Sequence, residues 1–121
     1  MSLYEAAAMA APCVVSGGSV ESGPTARATH PDHLSPMANL FAAEVGRSVV
    51  GMSRKDANAI VVQLLDRYEE RLTDPPLGKR YQDSYDMANR QPKAGALATY
   101  KRARADLAEM GLQFKDPPFY S

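Results

Sequence analysis

Only one short run of the chain, Cys13-Val14-Val15, has the apolar and β-branched composition of a buried strand. The stretch before it, Leu3 to Ala11, is rich in alanine and is predicted to be a helix that Pro12 stops. Ser16-Gly17-Gly18-Ser19 then interrupts regular structure, and the segment from Ser16 to Ser35 is predicted to be a loop. With one convincing strand in 121 residues, the chain is predicted to be mainly α-helical.

Three amphipathic helices are predicted after this loop. Ser35-Pro36 starts the first, because Ser can cap free N–H groups and Pro fits the first helical turn. Ser53-Arg54-Lys55-Asp56 resembles a capping box and starts the second, which Pro75-Pro76 ends. The third runs from about Pro92 to Met110. Their apolar residues recur at steps of three and four and are predicted to face the core: Leu40, Phe41, Val45, Val49 and Val50, then Ala57, Ile60, Val61, Leu64, Leu65, Tyr68 and Leu72, then Leu97, Tyr100, Ala103, Leu107 and Met110.

Charge divides the chain near Met52, since six charged residues precede it and the other 22 follow it. The 14 basic and 14 acidic residues balance, which gives no support to a nucleic-acid binder. One cysteine excludes an internal disulfide framework and a multi-cysteine zinc site. The longest apolar stretch, Ala6 to Val15, is too short to span a bilayer, so a cytoplasmic protein is expected.

Two loop segments carry residues with possible chemistry, and each has a plainer interpretation. His30-Pro31-Asp32-His33 offers three metal-binding side chains at a spacing that matches no established motif, and His33 could also act as a general acid or base. Alternatively, Asp32 and His33 only form hydrogen bonds that lead into the helix at Ser35. Gly17-Gly18 with Gly23 could cradle a phosphate through backbone N–H groups, although a flexible loop is the simpler interpretation.

Other candidates are predicted to be structural. A buried thiol is a better interpretation of Cys13 than a nucleophile, because the residue lies between Pro12 and two valines. Tyr81 and Tyr85 are expected to anchor a polar, irregular segment onto the core. Leu112 and Phe114 could pack back against the rest of the chain. The tail after Pro117-Pro118 either needs a surface to lie on or is disordered. Solvated helix faces with i,i+4 pairs explain Arg67, Arg71, Arg102 and Arg104.

Several short motifs also follow one another in a characteristic order. This order resembles the C-terminal part of the monomethylamine:corrinoid methyltransferase family, and it extends over nearly the whole chain. The residues that carry the resemblance are Leu3-Tyr4-Glu5-Ala6-Ala7-Ala8, Asp32-His33-Leu34-Ser35-Pro36-Met37, Phe41-Ala42-Ala43-Glu44-Val45, Lys55-Asp56-Ala57-Asn58, Tyr68-Glu69, Pro75-Pro76-Leu77-Gly78-Lys79, Tyr85-Asp86, and the end from Tyr100 to Phe114.

The resemblance implies a TIM-barrel enzyme that passes a methyl group from methylamine to the cobalt of a corrinoid protein. Archaeal members carry pyrrolysine in an earlier part of the barrel, and this sequence has no such residue. A TIM barrel needs about 250 residues, so this chain cannot close one by itself. The expected fold is therefore mainly α with one or two short strands. Residues 1–52 are expected to form a barrel-derived strand, loop and helix, and residues 53–121 a helical C-terminal extension.

The resemblance also nominates site residues and partners. Tyr4 is the strongest candidate for the amine cleft, with Asp32 and His33 as weaker catalytic candidates and Ser16, Gly17 and Gly18 as cofactor-binding candidates. No metal site is expected, and the corrinoid is expected to come from a partner protein and not to bind to this chain. The chain is expected to be inactive when isolated. It is also expected to self-associate or to repack into a helical assembly, because its buried strand would expose an edge.

A function of a different class remains open. The chain could be a complete small helical protein that acts by self-association or partner binding, with the apolar stripe from Ala57 to Leu72 as its interface. Neither alternative requires nucleic acid or a membrane.

Overall fold

The computed structural model describes residues 1–20, 30–33, 35–76 and 78–120. These residues form a bundle of helices with one small antiparallel hairpin, so the mainly α prediction with one or two short strands is confirmed. The elements are α1 (Ser2–Val15), α2 (Pro36–Ser48), α3 (Arg54–Tyr68) with a following 3-10 turn (Glu69–Arg71), α4 (Tyr81–Ser84), β1 (Tyr85–Asp86), β2 (Gln91–Pro92) and α5 (Ala94–Glu109).

The strand predicted at Cys13-Val14-Val15 is wrong, because these residues form the last turn of α1. Pro12 lies inside the helix and does not end it. Proline lacks the N–H that would bond to the carbonyl four residues earlier, and its ring crowds that carbonyl, but packing of the surrounding helix outweighs this cost. Val14 contributes to this packing, since a Cβ added to Gly46 of α2 would lie 3.4 Å from a Val14 methyl group. The tertiary contact therefore overrides the local strand preference.

Three of the predicted helices are confirmed, and they share one core with α1. The core contains Phe41 and Val45 from α2, Leu64 from α3, and Tyr100 and Leu107 from α5. The stripe of α3 faces this core and packs on α1, so it is not a free interface of the kind expected for an association protein. Two residues predicted to be buried are instead exposed, Val50 by 57% and Leu72 by 45%, because each lies beyond the last turn of its helix.

A hairpin replaces the irregular segment expected before the last helix. Tyr85 pairs with Pro92 and Asp86 with Gln91, and the Lys93 N–H donates to the Ser84 carbonyl at 2.8 Å. The Asp86 carboxylate accepts hydrogen bonds from residues 88 and 89 and so closes the turn. Tyr85 is buried, which confirms its predicted role as an anchor.

The segment after α5 lies along α2 and α5. Gly111, with φ of 110°, ends the helix in the left-handed conformation that glycine adopts readily. Leu112 is buried, and the Phe114 ring lies 6.3 Å from that of Phe41, so both residues pack back as predicted. Within the described ranges, no helix is long and apolar enough to cross a membrane.

Candidate functional site

A cleft of about 380 Å³ opens where the first turns of α1, α2 and α5 meet the segment that contains α4. Apolar atoms form more of its surface than polar atoms do, and several hydroxyl groups and three charged side chains add hydrogen-bonding groups. The lining includes Ser2, Ser35, Tyr81, Ser84 and Thr99, the charged Lys79, Asp83 and Lys93, and the less polar Leu3, Met37 and Tyr85. This cleft is the concave surface in the described part of the chain that best suits a small ligand with both apolar and polar groups.

Charge in the cleft is arranged around Asp83. The Arg80 guanidinium donates a hydrogen bond of 3.0 Å to its carboxylate, which lowers the pKa of Asp83, and Lys93 and Lys79 lower that pKa further. The side chain is therefore a carboxylate at neutral pH, and it is surrounded by cations. In contrast, burial and the hydrogen bond with Tyr120 raise the pKa of the Tyr85 hydroxyl, which stays protonated.

Tyr4, the strongest candidate from the resemblance, does not line this cleft. Its hydroxyl donates a hydrogen bond to the carboxylate of Asp106 on α5, which also has Arg67 at 3.9 Å and Arg102 at 4.0 Å. Burial and this carboxylate raise the pKa of Tyr4. The phenol is therefore a protonated donor at neutral pH, and the structure does not bring it together with Asp32 and His33.

Asp32 and His33 lie beside the cleft. Asp32 has φ of 62°, and its carbonyl accepts a hydrogen bond of 2.6 Å from the N–H of Tyr81 in the cleft wall. Nδ1 of His33 lies 2.7 Å from the Pro31 carbonyl, and its ring is 6.2 Å from that of His30. Across the described ranges, no group of three metal-binding side chains comes together. The geometry assigns this segment a connecting role, and a catalytic role remains a prediction.

Ser16, Gly17 and Gly18 form the C-terminal cap of α1. Their N–H groups donate to the carbonyls of Pro12, Val14 and Cys13, at 3.2, 3.0 and 2.8 Å. A Cβ added to Gly18 would lie 2.9 Å from the Cys13 sulfur, so close packing explains this glycine. The N–H groups are therefore occupied by the helix, and cofactor binding by these residues remains a prediction. Gly23 lies outside the described residues.

A buried polar cluster around Glu44 was not foreseen in the sequence. The Glu44 side chain accepts hydrogen bonds from the Tyr100 hydroxyl at 2.6 Å, from Arg104 at 3.0 Å and from the N–H of Phe119 at 3.2 Å. Glu44 is only 2% exposed, and burial, together with the hydrogen bond to Glu44, raises the pKa of Tyr100. Arg104 was predicted to be solvated. That prediction is wrong, since its side chain is 13% exposed and is paired with Glu44.

The partners of Glu44 are 56, 60 and 75 residues away in sequence, so no local motif joins them. One signal was available, because Glu44 is a charged residue within the apolar stripe that contains Phe41 and Val45. A charge at a core position requires a partner, and this requirement alone would have singled out the residue.

Comparison with known sequences gives one consistent family. A family model described as monomethylamine methyltransferase MtmB matches residues 1–112. The chain is 30% identical over 115 residues to monomethylamine methyltransferase MtmB1 of Methanosarcina barkeri. It is 31% identical over 115 residues to MtmB2 of Methanosarcina acetivorans. Each alignment covers 94% of this chain and 25% of the relative, so the chain spans about a quarter of the length of these curated relatives.

Comparison with solved structures gives the same result. The crystal structure of the Methanosarcina barkeri monomethylamine methyltransferase (MtmB) matches with a TM-score of 0.87 and 30% identity, over 94% of this chain and 25% of that one. The crystal structure of the hydroxylamine MtmB complex matches equally well. The predicted fold class is therefore confirmed, since the chain corresponds to a portion of a TIM-barrel enzyme and its described residues form no closed barrel.

Proposed function

The chain belongs to the monomethylamine methyltransferase MtmB family, and from that membership we propose that it serves methyl transfer from monomethylamine, or a related methylated amine, to a corrinoid protein. The observation that carries this proposal is the agreement of sequence and structure over 94% of the chain. Because the chain spans a quarter of these relatives, we propose that it contributes one portion of the enzyme and does not turn over when isolated. We also propose that the chain is located in the cytoplasm.

The corrinoid is proposed to be carried by a separate protein. When bound, it supplies a cobalt that accepts the methyl group. The residues nominated for a cofactor on this chain, Ser16, Gly17 and Gly18, already donate their N–H groups to carbonyls of α1. This arrangement does not fit a resident corrinoid, and we assign no step of the reaction to it.

The residues of this chain would then position groups and hold protons. Tyr4 keeps its proton and donates a hydrogen bond to Asp106, so its hydroxyl oxygen can serve as an oriented hydrogen-bond acceptor and not as a base. Asp32 would shape the cleft through its carbonyl contact with Tyr81. The imidazole of His33 has ring nitrogens that can accept and donate protons, which suits proton transfer.

The first experiment compares the isolated chain with a complete relative. The purified 121-residue chain and the Methanosarcina barkeri enzyme are each mixed with monomethylamine and a reduced corrinoid protein. Methylation of cobalt is followed by the visible spectrum. We expect methylation with the complete enzyme and none with the chain. Turnover by the isolated chain would contradict its proposed inactivity.

A chimera then tests the positive part of the proposal. This chain replaces the matched quarter of the Methanosarcina barkeri enzyme, and the chimera is expected to methylate the corrinoid. Tyr4→Phe in the chimera is expected to lower the rate about tenfold or more, as for loss of a positioned hydrogen-bonding hydroxyl. Tyr68→Phe on α3, a matched loss of a phenol hydroxyl, should change it little. A folded chimera without transfer would contradict the assignment of function, and equal rates for both variants would remove Tyr4 from the site.

We also propose that the isolated chain self-associates. The reason is not the edge of a strand at Cys13-Val14-Val15, because these residues are helical. Apart from Ser2, Tyr4 and Glu5, every residue of α1 is apolar. One face of α1 is covered by α2 and α3, whereas Ala8, Met9 and Pro12 lie on a side that is only partly buried or exposed. A helix that is apolar all round is normally covered on all sides, and a second copy can cover this side.

A further inference from the structure

Residues 112–120, here called the strap, follow α5 and have no regular secondary structure, yet they make specific contacts with α2. The Lys115 N–H donates to the Ser48 hydroxyl at 3.2 Å, and its ammonium donates to the Val50 carbonyl at 2.6 Å. Asp116 forms an ion pair of 2.6 Å with Arg47. The strap is therefore fixed along the C-terminal half of α2.

The centre of the strap is held by the buried cluster. The Arg104 guanidinium lies 3.9 Å above the Phe114 ring and donates to the Asp116 carbonyl at 3.0 Å. The N–H of Phe119 donates to Glu44 and to the Tyr100 hydroxyl, at 3.2 and 3.0 Å. The polar groups that bind the strap are thus among the most buried in the described structure. We call these groups, Glu44, Tyr100 and Arg104, the seat of the strap, and their burial makes the contact specific.

The last part of the strap reaches the cleft. The Tyr120 ring packs on that of Tyr100 at 5.1 Å, and its hydroxyl lies 3.3 Å from the hydroxyl of Tyr85. Tyr85 lines the cleft and its ring lies 5.0 Å from that of Tyr81, another lining residue. Contacts between aromatic side chains therefore lead from the strap into the cleft wall.

We propose that the strap controls the shape of the cleft: when the strap is seated at Glu44, Tyr120 holds the wall formed by Tyr81 and Tyr85, and when the strap lifts, the wall loosens. A segment held mainly by side chains opens locally at a lower free energy than the helices beneath it. The coupling is proposed from contacts within this chain, and it does not depend on the methyl-transfer proposal.

Amide hydrogen exchange of the full chain, followed by NMR, tests this coupling. The N–H of Phe119 reports on the seat, and the N–H groups of Tyr81 and Lys93 report on the wall, since they donate to Asp32 and Ser84. Phe114→Ala removes the ring under Arg104 and should speed exchange at all three N–H groups about tenfold or more. Val62→Ala is the control, because this apolar side chain on α3 is 49% exposed, and it should change exchange less than about twofold.

Tyr120→Phe separates the seat from the wall, because it removes only the hydroxyl that approaches Tyr85. We expect faster exchange at Tyr81 and Lys93 with the N–H of Phe119 still protected. The proposal is overturned if Phe114→Ala frees the N–H of Phe119 but leaves the wall unchanged, or leaves Phe119 protected. An equal increase in α3, at Leu64, would also overturn it, because strap and wall would then not form a local unit.

Discussion

Glu44 is a carboxylate within the core whose hydrogen bonds come from α5 and from the segment that follows it. Glu44→Ala leaves the guanidinium of Arg104 without its buried partner, so we expect the free energy of unfolding to fall by about 3–5 kcal/mol. Urea unfolding followed by circular dichroism measures this change. Glu70→Ala, which removes an exposed carboxylate, should change stability by less than about 0.5 kcal/mol. Equal effects of the two substitutions would show that the buried pair contributes no more to stability than an exposed carboxylate does.

Buried tyrosines make the fold sensitive to alkaline pH. Burial raises the pKa of Tyr85, as it does for Tyr4, Tyr68 and Tyr100, so the folded chain holds these protons more tightly than the unfolded chain. Their contribution to stability is fully present below pH about 10, the ordinary tyrosine pKa, and is lost as pH rises through the higher pKa of the folded state. We expect the urea midpoint to fall above pH about 10.

Tyr85→Phe removes one of these contributions, because it removes the Tyr85 phenol and leaves Tyr4, Tyr68 and Tyr100 in place. The variant is expected to lose stability less steeply above pH about 10 than the parent chain. Parallel curves for the two proteins would contradict a raised pKa at Tyr85.

Single residues also show which side-chain positions could be predicted from the sequence and which could not. Tyr85 was predicted as an anchor because an aromatic side chain in a polar segment is expected to pack against the core, and Tyr85 is buried. Arg104 was misplaced, because a charged residue on an amphipathic helix usually faces water. Its buried partner lies 60 residues earlier, on a helix whose packing angle the sequence does not specify.

Among the elements, α2 and α3 offer a matched pair of helix starts. The Ser53 hydroxyl oxygen accepts a hydrogen bond of 3.1 Å from the N–H of Asp56, whereas Ser35 precedes α2 without a side-chain cap bond. We expect Ser53→Ala to lower the free energy of unfolding by about 1 kcal/mol and Ser35→Ala to lower it by clearly less. Chemical unfolding of both variants measures the difference. A larger effect at Ser35 would contradict the capping geometry.

The elements found from the sequence are those with a repeating apolar pattern and distinct end signals. α3 and α5 combine both, and their predicted stripes contain the buried Leu64, Tyr100 and Leu107. α1 was cut short because proline and valine were interpreted from local preference alone. The two-residue strands β1 and β2 offer too few residues for any pattern, so the hairpin could not be predicted.

At the scale of the whole molecule, one hydrophobic core joins residues on both sides of the charge boundary near Met52. Leu3 and Phe41 on one side share it with Leu64 and Tyr100 on the other. The sequence division into 1–52 and 53–121 remains a prediction about origin within a larger enzyme. The core itself depends on contacts between distant segments, and charge distribution carries no information about these.

The last prediction at this scale concerns the partly exposed side of α1, which contains Ala8, Met9 and Pro12. If a second copy covers that side, size-exclusion chromatography with light scattering should show a mass that rises with concentration. Met9→Glu places a charge there and is expected to weaken association at least tenfold, since burying an unpaired carboxylate is costly. Val62→Glu on the exposed side of α3 is the control and should leave association unchanged. A monomer at every concentration would exclude self-association, and equal weakening by both variants would place the contact elsewhere.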